Sequence, residues 1–228
     1  MEIERFSSRD EASLAAAGHI AAAVNRRIDA QGKSSLVVSG GTTPARCFAA
    51  LAETELPWSN VHVVLSDERW VPADHEDSNE RLVRETLFTG HAKDARLLSV
   101  YHDELSPDEG AVEVDAGIRK LPFPFACSLL GMGADGHFAS LFPDADGLDD
   151  GLDPDYGGLA TAVSTAASPH PRISLTLAAL SRSDSILLLV FGDDKWQTLE
   201  AAQAADSALP VAKLLKQNRA PVSIYWAP

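Results

Sequence analysis

The segment Gly131-Met132-Gly133-Ala134-Asp135-Gly136-His137 carries the residues of this sequence best suited to chemistry. It follows an apolar run, and its three glycines permit turns that other residues resist. Asp135 and His137 can therefore stand at the end of a strand instead of inside a core. A histidine titrates near neutral pH and can serve as a general base, and a nearby carboxylate can orient its ring. The alternative is a surface loop that Asp135 holds together through backbone N–H groups.

A second segment, Ser39-Gly40-Gly41-Thr42, stands between an apolar run and a helix-like stretch that starts near Ala45. A glycine-rich turn from strand to helix presents unpaired N–H groups and lets an anion approach the backbone, so it predicts a phosphate cradle. The segment matches neither the Walker A pattern nor the dinucleotide-binding pattern G-x-G-x-x-G. A tight turn with a hydroxyl cap remains the alternative interpretation.

Charged residues follow two more apolar runs. Asp67, Glu68 and Arg69 come after the predicted strand Val61–Leu65, and Lys195 comes shortly after the most continuous apolar run, Ser185–Phe191. Arg172 directly follows a proline and precedes a segment whose apolar residues alternate as in a strand. A structural ion pair of Arg69 with Asp67 or Glu68 competes with a functional role for Arg69.

Strand and helix patterns alternate along almost the whole chain, which predicts an α/β fold with a doubly wound, mainly parallel, Rossmann-like sheet and helices on both faces. Ligands of such sheets collect beyond the carboxyl ends of the strands, so the polar segments should face one crevice. Two helices are predicted to pack on the sheet: one runs from Ser8 to Gly32 with Leu14 in its apolar pattern, and the other from Pro107 to Leu121 with Val112 inward.

The length, charge and cysteine content of the chain argue against several kinds of partner and binding site. The chain has 228 residues, 45% of them hydrophobic, and we expect one domain over residues 1–228. A net charge of −14 argues against a nucleic-acid partner. The two cysteines make a disulfide framework or a cysteine metal site improbable, and the aspartate-rich stretch 144–158 lacks EF-hand spacing, so we predict a solvated loop there and no metal.

The start of the sequence lacks a basic segment followed by an apolar one, and no apolar run approaches the roughly 18 residues that cross a bilayer. We therefore expect a soluble cytoplasmic protein without a membrane partner, present as a monomer or a small homo-oligomer.

Five segments in order resemble the 6-phosphogluconolactonase family, whose relatives include glucosamine-6-phosphate deaminase. They are Ser-Gly-Gly-Thr-Thr-Pro from Ser39, Ser-Asp-Glu-Arg-Trp-Val-Pro from Ser66, Gly-Met-Gly-Ala-Asp-Gly-His-Phe-Ala-Ser-Leu-Phe-Pro from Gly131, Pro-Arg-Ile-Ser-Leu-Thr from Pro171 and Gly-Asp-Asp-Lys from Gly192. The resemblance implies a cofactor-free hydrolase of the pentose phosphate pathway that opens 6-phospho-D-glucono-1,5-lactone to 6-phosphogluconate. Phe138 departs from the smaller or polar residue of many members.

Lactone hydrolysis needs an activated water and a stabilised oxyanion, and the chemistry of individual residues suggests which side chains supply them. His137 would activate water and Asp135 would orient its ring. Asp67 would position substrate hydroxyls or water, and Arg69 would stabilise the oxyanion. The resemblance implies the remaining contacts. The substrate phosphate would bind the turn Ser39, Gly40, Gly41 and Thr42, with charge from Arg172 and Lys195.

Three other functions are compatible with parts of the sequence. A deaminase-like isomerase is disfavoured because no glutamate follows His137 closely and because Arg69 stands where deaminases tend to have tyrosine. A serine hydrolase is disfavoured because neither Ser39 nor Ser140 stands in a G-x-S-x-G elbow. A non-catalytic sugar-phosphate sensor would need a DNA-binding segment, and no helix-turn-helix pattern precedes residue 35.

Overall fold

The computed structural model describes residues 1–166 and 168–228, and within them it contains ten strands and eight α-helices. The strands are β1 (Glu2–Arg5), β2 (Ser34–Val38), β3 (Val61–Leu65), β4 (Asp67–Arg69), β5 (Arg96–Leu98), β6 (Cys127–Leu130), β7 (Ala160–Val163), β8 (Arg172–Leu175), β9 (Ile186–Phe191) and β10 (Val222–Ala227). The helices are α1 (Arg9–Gln31), α2 (Ala45–Ala52), α3 (Asn79–Thr86), α4 (Pro107–Ile118), α5 (Leu148–Leu152), α6 (Leu177–Leu180), α7 (Asp193–Ala202) and α8 (Pro210–Lys216).

Seven strands form one sheet in the order β1-β10-β9-β6-β2-β3-β5, and every neighbouring pair is parallel. From β2 the chain moves outward through β3 to β5, and then returns to place β6 on the other side of β2. The sheet therefore has its switch point between β2 and β6, where α/β folds leave a crevice for ligands. The predicted doubly wound, mainly parallel sheet is confirmed.

A second sheet of three antiparallel strands, in the order β4-β8-β7, was not predicted. Asp67 pairs with Ser174 and Arg69 with Arg172, so the charged segment after β3 is itself a short strand. Its three residues, Asp-Glu-Arg, show none of the apolar alternation by which a strand is recognised.

The core lies on the large sheet. All five residues of β2 and all four of β6 are buried, as strands covered on both faces require. The largest side chains that are fully buried include Phe48, Trp58, Phe125 and Phe138. Phe138, the departure from the family pattern, is thus part of the core.

The helices show where the packing predictions were wrong. Leu14 is 43% exposed and Val112 is 67% exposed. The buried face of α1 is formed by Ala12, Ala16, Ile20 and Val24, and that of α4 by Ala111, Val114 and Ile118. Each mispredicted residue lies two positions from a buried one, and two positions are about 200° around a helix, so the side chain points to the other side.

Ser8 caps α1 by accepting from the amide of Glu11, and the Glu11 carboxylate accepts from the amide of Ser7. The stretch 144–158, predicted as a loop, contains the short helix α5, where Leu152 is buried.

Among the described residues, no helix is long and apolar enough to span a membrane.

Candidate active site

A cleft of about 300 Å³ opens at the carboxyl ends of the central strands. The turn after β2, the strand β4, the loop after β6 and the start of α7 all contribute to its walls. The lining residues are Ser39, Gly40, Gly41, Thr42, Thr43, Asp67, Arg69, Asn79, Gly131, Met132, Gly133, His137, Ala139, Arg172 and Lys195. Three cationic side chains face one carboxylate, so the cleft is locally suited to an anion in a chain of net charge −14.

His137 and Asp135 form a pair at this cleft. Nδ1 of His137 lies 2.6 Å from Oδ1 of Asp135, and the same oxygen accepts from the backbone amide of His137 at 3.2 Å. The imidazole also packs on the ring of Phe142, with 4.1 Å between the centroids. Asp135 therefore contacts both the ring and the backbone, and the Nε2 atom is the nitrogen left to act on a ligand.

Gly133 and Gly136 make this pair possible. A Cβ atom at Gly133 would lie 2.2 Å from Nδ1 of His137 and 2.5 Å from the Asp135 carboxylate. Gly136 has a φ of 79°, in the left-handed region that favours glycine. Ala139 shares that region, with a φ of 49°, and lines the cleft. The turn is thus shaped for the close approach of the two side chains.

The turn after β2 forms the facing part of the cleft. Gly40 lies against the side chain of Asn79, because a Cβ at Gly40 would be 1.9 Å from the Asn79 Oδ1 atom. Gly41 has a φ of 83°. The hydroxyl of Ser39 is buried without a hydrogen-bond partner among the described residues. A buried polar group of this kind needs a partner, and a bound ligand can supply it.

Lys195 lies in the first turn of α7 and lines the cleft together with Thr42. In residues 1–166 and 168–228 its ammonium group makes no ion pair. The structure thus places a half-buried cation beside the glycine-rich turn, which is the arrangement expected for phosphate.

Asp67 is held in a buried network at the base of the cleft. Its carboxylate accepts from the hydroxyl of Ser66 at 2.8 Å and from that of Ser140 at 2.7 Å. Nη1 of Arg172 lies 3.7 Å from the carboxylate and donates to the Ser140 oxygen at 3.3 Å. Burial lowers the pKa of Arg172, whereas the charge of Asp67 raises it. Arg172 is therefore bound to Asp67 as well as facing the cleft.

Arg69 is placed by a different contact. Its Nη1 atom donates to the backbone carbonyl of Asp77, and its Nε atom is buried without a partner among the described residues. The ion pair with Asp67 or Glu68 that the sequence allowed is not formed within the described chain. Arg69 thus lines the cleft as a guanidinium that no described carboxylate neutralises.

The sequence-based assignment missed Glu68 and Asn79. The buried Glu68 carboxylate accepts from the amides of Arg69, Asn79 and Glu80 and from the hydroxyl of Ser78. Burial raises the pKa of Glu68 and these donors oppose the rise. Asn79 donates to the carbonyl of Asp67 at 2.9 Å and lines the cleft. Ser78, which caps α3, was the available signal for this helix N-terminus.

Comparison with known proteins identifies the family of this chain. The model of the family described as glucosamine-6-phosphate isomerases/6-phosphogluconolactonase matches residues 7–226. A 6-phosphogluconolactonase of Caulobacter vibrioides is 44% identical over 100% of this chain and 97% of its own length. One of Mesorhizobium japonicum is 40% identical over 98% of this chain and 94% of its own.

Among solved structures, a 6-phosphogluconolactonase from Shewanella baltica superposes with a TM-score of 0.96 at 35% identity. The match covers 100% of this chain and 98% of that one. Sequence and structure therefore agree over the same full length, and the chain belongs to the glucosamine-6-phosphate isomerase/6-phosphogluconolactonase family.

Proposed function

We propose that this protein hydrolyses 6-phospho-D-glucono-1,5-lactone to 6-phosphogluconate, the second step of the oxidative pentose phosphate pathway, with a water activated by His137 and without a cofactor. The observation that carries the proposal is one cleft with a histidine–aspartate pair on one wall and a glycine-rich turn with Lys195 on the other. The names of the full-length relatives support the substrate.

The reaction needs a base, a stabilised oxyanion and a proton for the leaving group. With Nδ1 of His137 donating to Asp135, Nε2 carries the lone pair and removes a proton from water. The resulting hydroxide attacks the lactone carbonyl carbon, and the electron pair of the C=O bond moves to its oxygen. Arg69, whose side chain lines the cleft, stabilises that negative charge. The ring C–O bond then breaks, and His137 returns the proton to the departing ring oxygen.

The remaining polar groups position the substrate. Asp67, fixed by Ser66 and Ser140, accepts from the hydroxyls of the sugar or from the attacking water. The 6-phosphate binds the amides of the turn Ser39, Gly40, Gly41 and Thr42, with charge from Lys195 and Arg172. Binding the phosphate holds the lactone carbonyl near His137. Contacts far from the reacting carbon therefore help to orient it.

Replacement of Lys195 tests the phosphate assignment. For Lys195→Ala we expect KM for the phosphorylated lactone to rise at least about tenfold, because a charge-assisted hydrogen bond contributes roughly 1.5–3 kcal/mol. The rate with unphosphorylated gluconolactone should not change. The control is Lys213→Ala, which removes an exposed lysine away from the cleft. Equal turnover and equal KM in Lys195→Ala and wild type would contradict the assignment.

The reaction class is tested by two parallel assays. Fresh 6-phosphogluconolactone is followed by acid release above the buffer rate, and glucosamine 6-phosphate is followed by ammonia release. Acid without ammonia is the expected result. Ammonia release would indicate the deaminase-like isomerase, and neither product would indicate a non-catalytic sugar-phosphate sensor.

The proposal includes a cytoplasmic location and a monomer or small homo-oligomer that binds no nucleic acid. Both cysteines are free and buried, as suits a reducing compartment, and burial raises the pKa of each thiol to about 12. Fractionation of the source cells tests the location, and light scattering of the purified chain tests the oligomeric state.

A further inference from the structure

Two imidazoles and one carboxylate meet outside the cleft, beside the segment that carries Arg69. His75 and Asp77 belong to the connection between β4 and α3, and His170 precedes β8. The Nε2 atom of His170 lies 3.1 Å from Oδ2 of Asp77, and Nδ1 of His75 lies 3.9 Å from the same oxygen. One ligand atom from each residue lies within 4.8 Å of the other two.

This set of atoms has the chemistry of a site for a first-row divalent cation. Imidazole nitrogen and carboxylate oxygen are zinc ligands, with bonds of about 2.0–2.2 Å, so neighbouring ligand atoms of a tetrahedral ion lie about 3.3 Å apart. His170 and Asp77 already meet that spacing. His75 reaches it by a side-chain movement of about 1 Å, and water completes the fourth position.

Backbone hydrogen bonds and prolines restrict the segments that carry these three residues before any ion binds. The amide of His75 donates to the carbonyl of Pro72 at 2.9 Å, and the carbonyl of His75 accepts from the amide of Ser78 at 3.1 Å. The amide of Asp77 donates to Nδ1 of His75, so this nitrogen is the unprotonated one, and a cation that binds it takes the place of the amide at its lone pair. Prolines on both sides of His170 restrict its segment.

The site is connected to the cleft through the small sheet. The carbonyl of Asp77 accepts from Arg69, and the amide of Trp70 donates to the carbonyl of Pro171 at 2.8 Å. Arg69 and Arg172 pair across β4 and β8. We propose that His75, Asp77 and His170 bind a zinc-class divalent cation that joins these two segments at the end of the small sheet. The ion takes no part in the hydrolysis.

The three ligands form no sequence motif for a metal site, and none was predicted. Two ligands are separated by a single residue, but the third lies far along the chain and comes close only through the pairing of β4 with β8. The negative net charge of the chain, together with Asp74 and Glu76 next to His75, favours a cation at this surface.

Calorimetric titration of the metal-free full-length protein with zinc chloride tests the site. Because His137 and Asp135 could also hold zinc, the titration is repeated with His137→Ala, which should still bind one equivalent. His75→Ala and His170→Ala should each bind that equivalent at least about tenfold more weakly, since even an outer partner of a ligand contributes about 10- to 100-fold. His102→Ala, an exposed histidine elsewhere, should bind as the wild type does.

Thermal unfolding gives the second readout. Zinc should raise the melting temperature of the wild type and of His137→Ala, because an ion that binds the folded chain stabilises it, and should leave that of His170→Ala unchanged. The metal-free variants should melt with the wild type, which shows that they fold. The proposal is overturned if zinc is not bound, if His75→Ala and His170→Ala bind it as tightly as the wild type does, or if binding is lost in His137→Ala.

Discussion

Two of the walls of the cleft use the same residue type in opposite surroundings. On the wall after β6, which we call the exposed wall, the side chain of Asp135 is 45% exposed and contacts His137 within one glycine-framed turn. On the wall formed by the small sheet, which we call the buried wall, the side chain of Asp67 is 9% exposed and contacts Ser66, Ser140 and Arg172. One aspartate is held by its neighbours in sequence and the other by tertiary contacts.

The difference predicts a separation of roles. An exposed pair contributes at most about 1 kcal/mol to stability, so the exposed wall can be altered at a cost to activity alone. Breaking a buried pair leaves an uncompensated charge and costs about 3–5 kcal/mol, so changes in the buried wall should lower stability as well. Four substitutions test this separation, two on each wall.

The largest effect is expected on the exposed wall. In His137→Ala the base is lost, and kcat should fall about 10²-fold or more, the usual scale for a general base. The free energy of unfolding should change by about 1 kcal/mol at most, because the side chain is 27% exposed. Steady-state kinetics and urea unfolding of the same preparation measure both quantities. Wild-type kcat in this variant would exclude His137 as the base.

On the buried wall, Asp67→Asn should lower the free energy of unfolding by about 3 kcal/mol, because the largely buried Arg172 loses its counter-charge. Activity should fall too, since Arg172 lines the cleft. The midpoint of urea unfolding is the measurement. A change below about 0.5 kcal/mol would mean that Asp67 is no more structural than a surface carboxylate.

The exposed wall could be predicted from the sequence, whereas the contacts of the buried wall could not. The loop from Gly131 to His137 could be found because an apolar strand, three glycines and two reactive side chains are consecutive. The contact of Asp67 with Arg172 could not, because it depends on the antiparallel pairing of two short strands with little apolar pattern. Leu14 shows the same limit: its type suggested the core, but only packing decides which helix face is buried.

For the exposed wall, Asp135→Asn tests whether the carboxylate acts on the ring or only on the backbone. An asparagine oxygen still accepts from the backbone amide of His137, but it no longer carries the charge that favours the imidazolium form. We expect kcat to fall about tenfold, equivalent to about 1.4 kcal/mol. The unfolding midpoint should stay at the wild-type value, in contrast to Asp67→Asn. An unchanged kcat would assign Asp135 to the loop alone.

The smallest effect is expected for Ser140→Ala on the buried wall. The Ser140 hydroxyl donates to Asp67 and accepts from Arg172, and it is fully buried, so its loss leaves both partners short of one hydrogen bond. The expected cost is about 1.5 kcal/mol in the free energy of unfolding, the lower end for hydrogen bonds to charged groups, and kcat should stay within about twofold of wild type because Ser140 only positions Asp67. A serine nucleophile would behave differently: kcat would fall by orders of magnitude while stability changed little. The ratio of the two effects therefore decides whether Ser140 supports the buried wall or attacks the substrate.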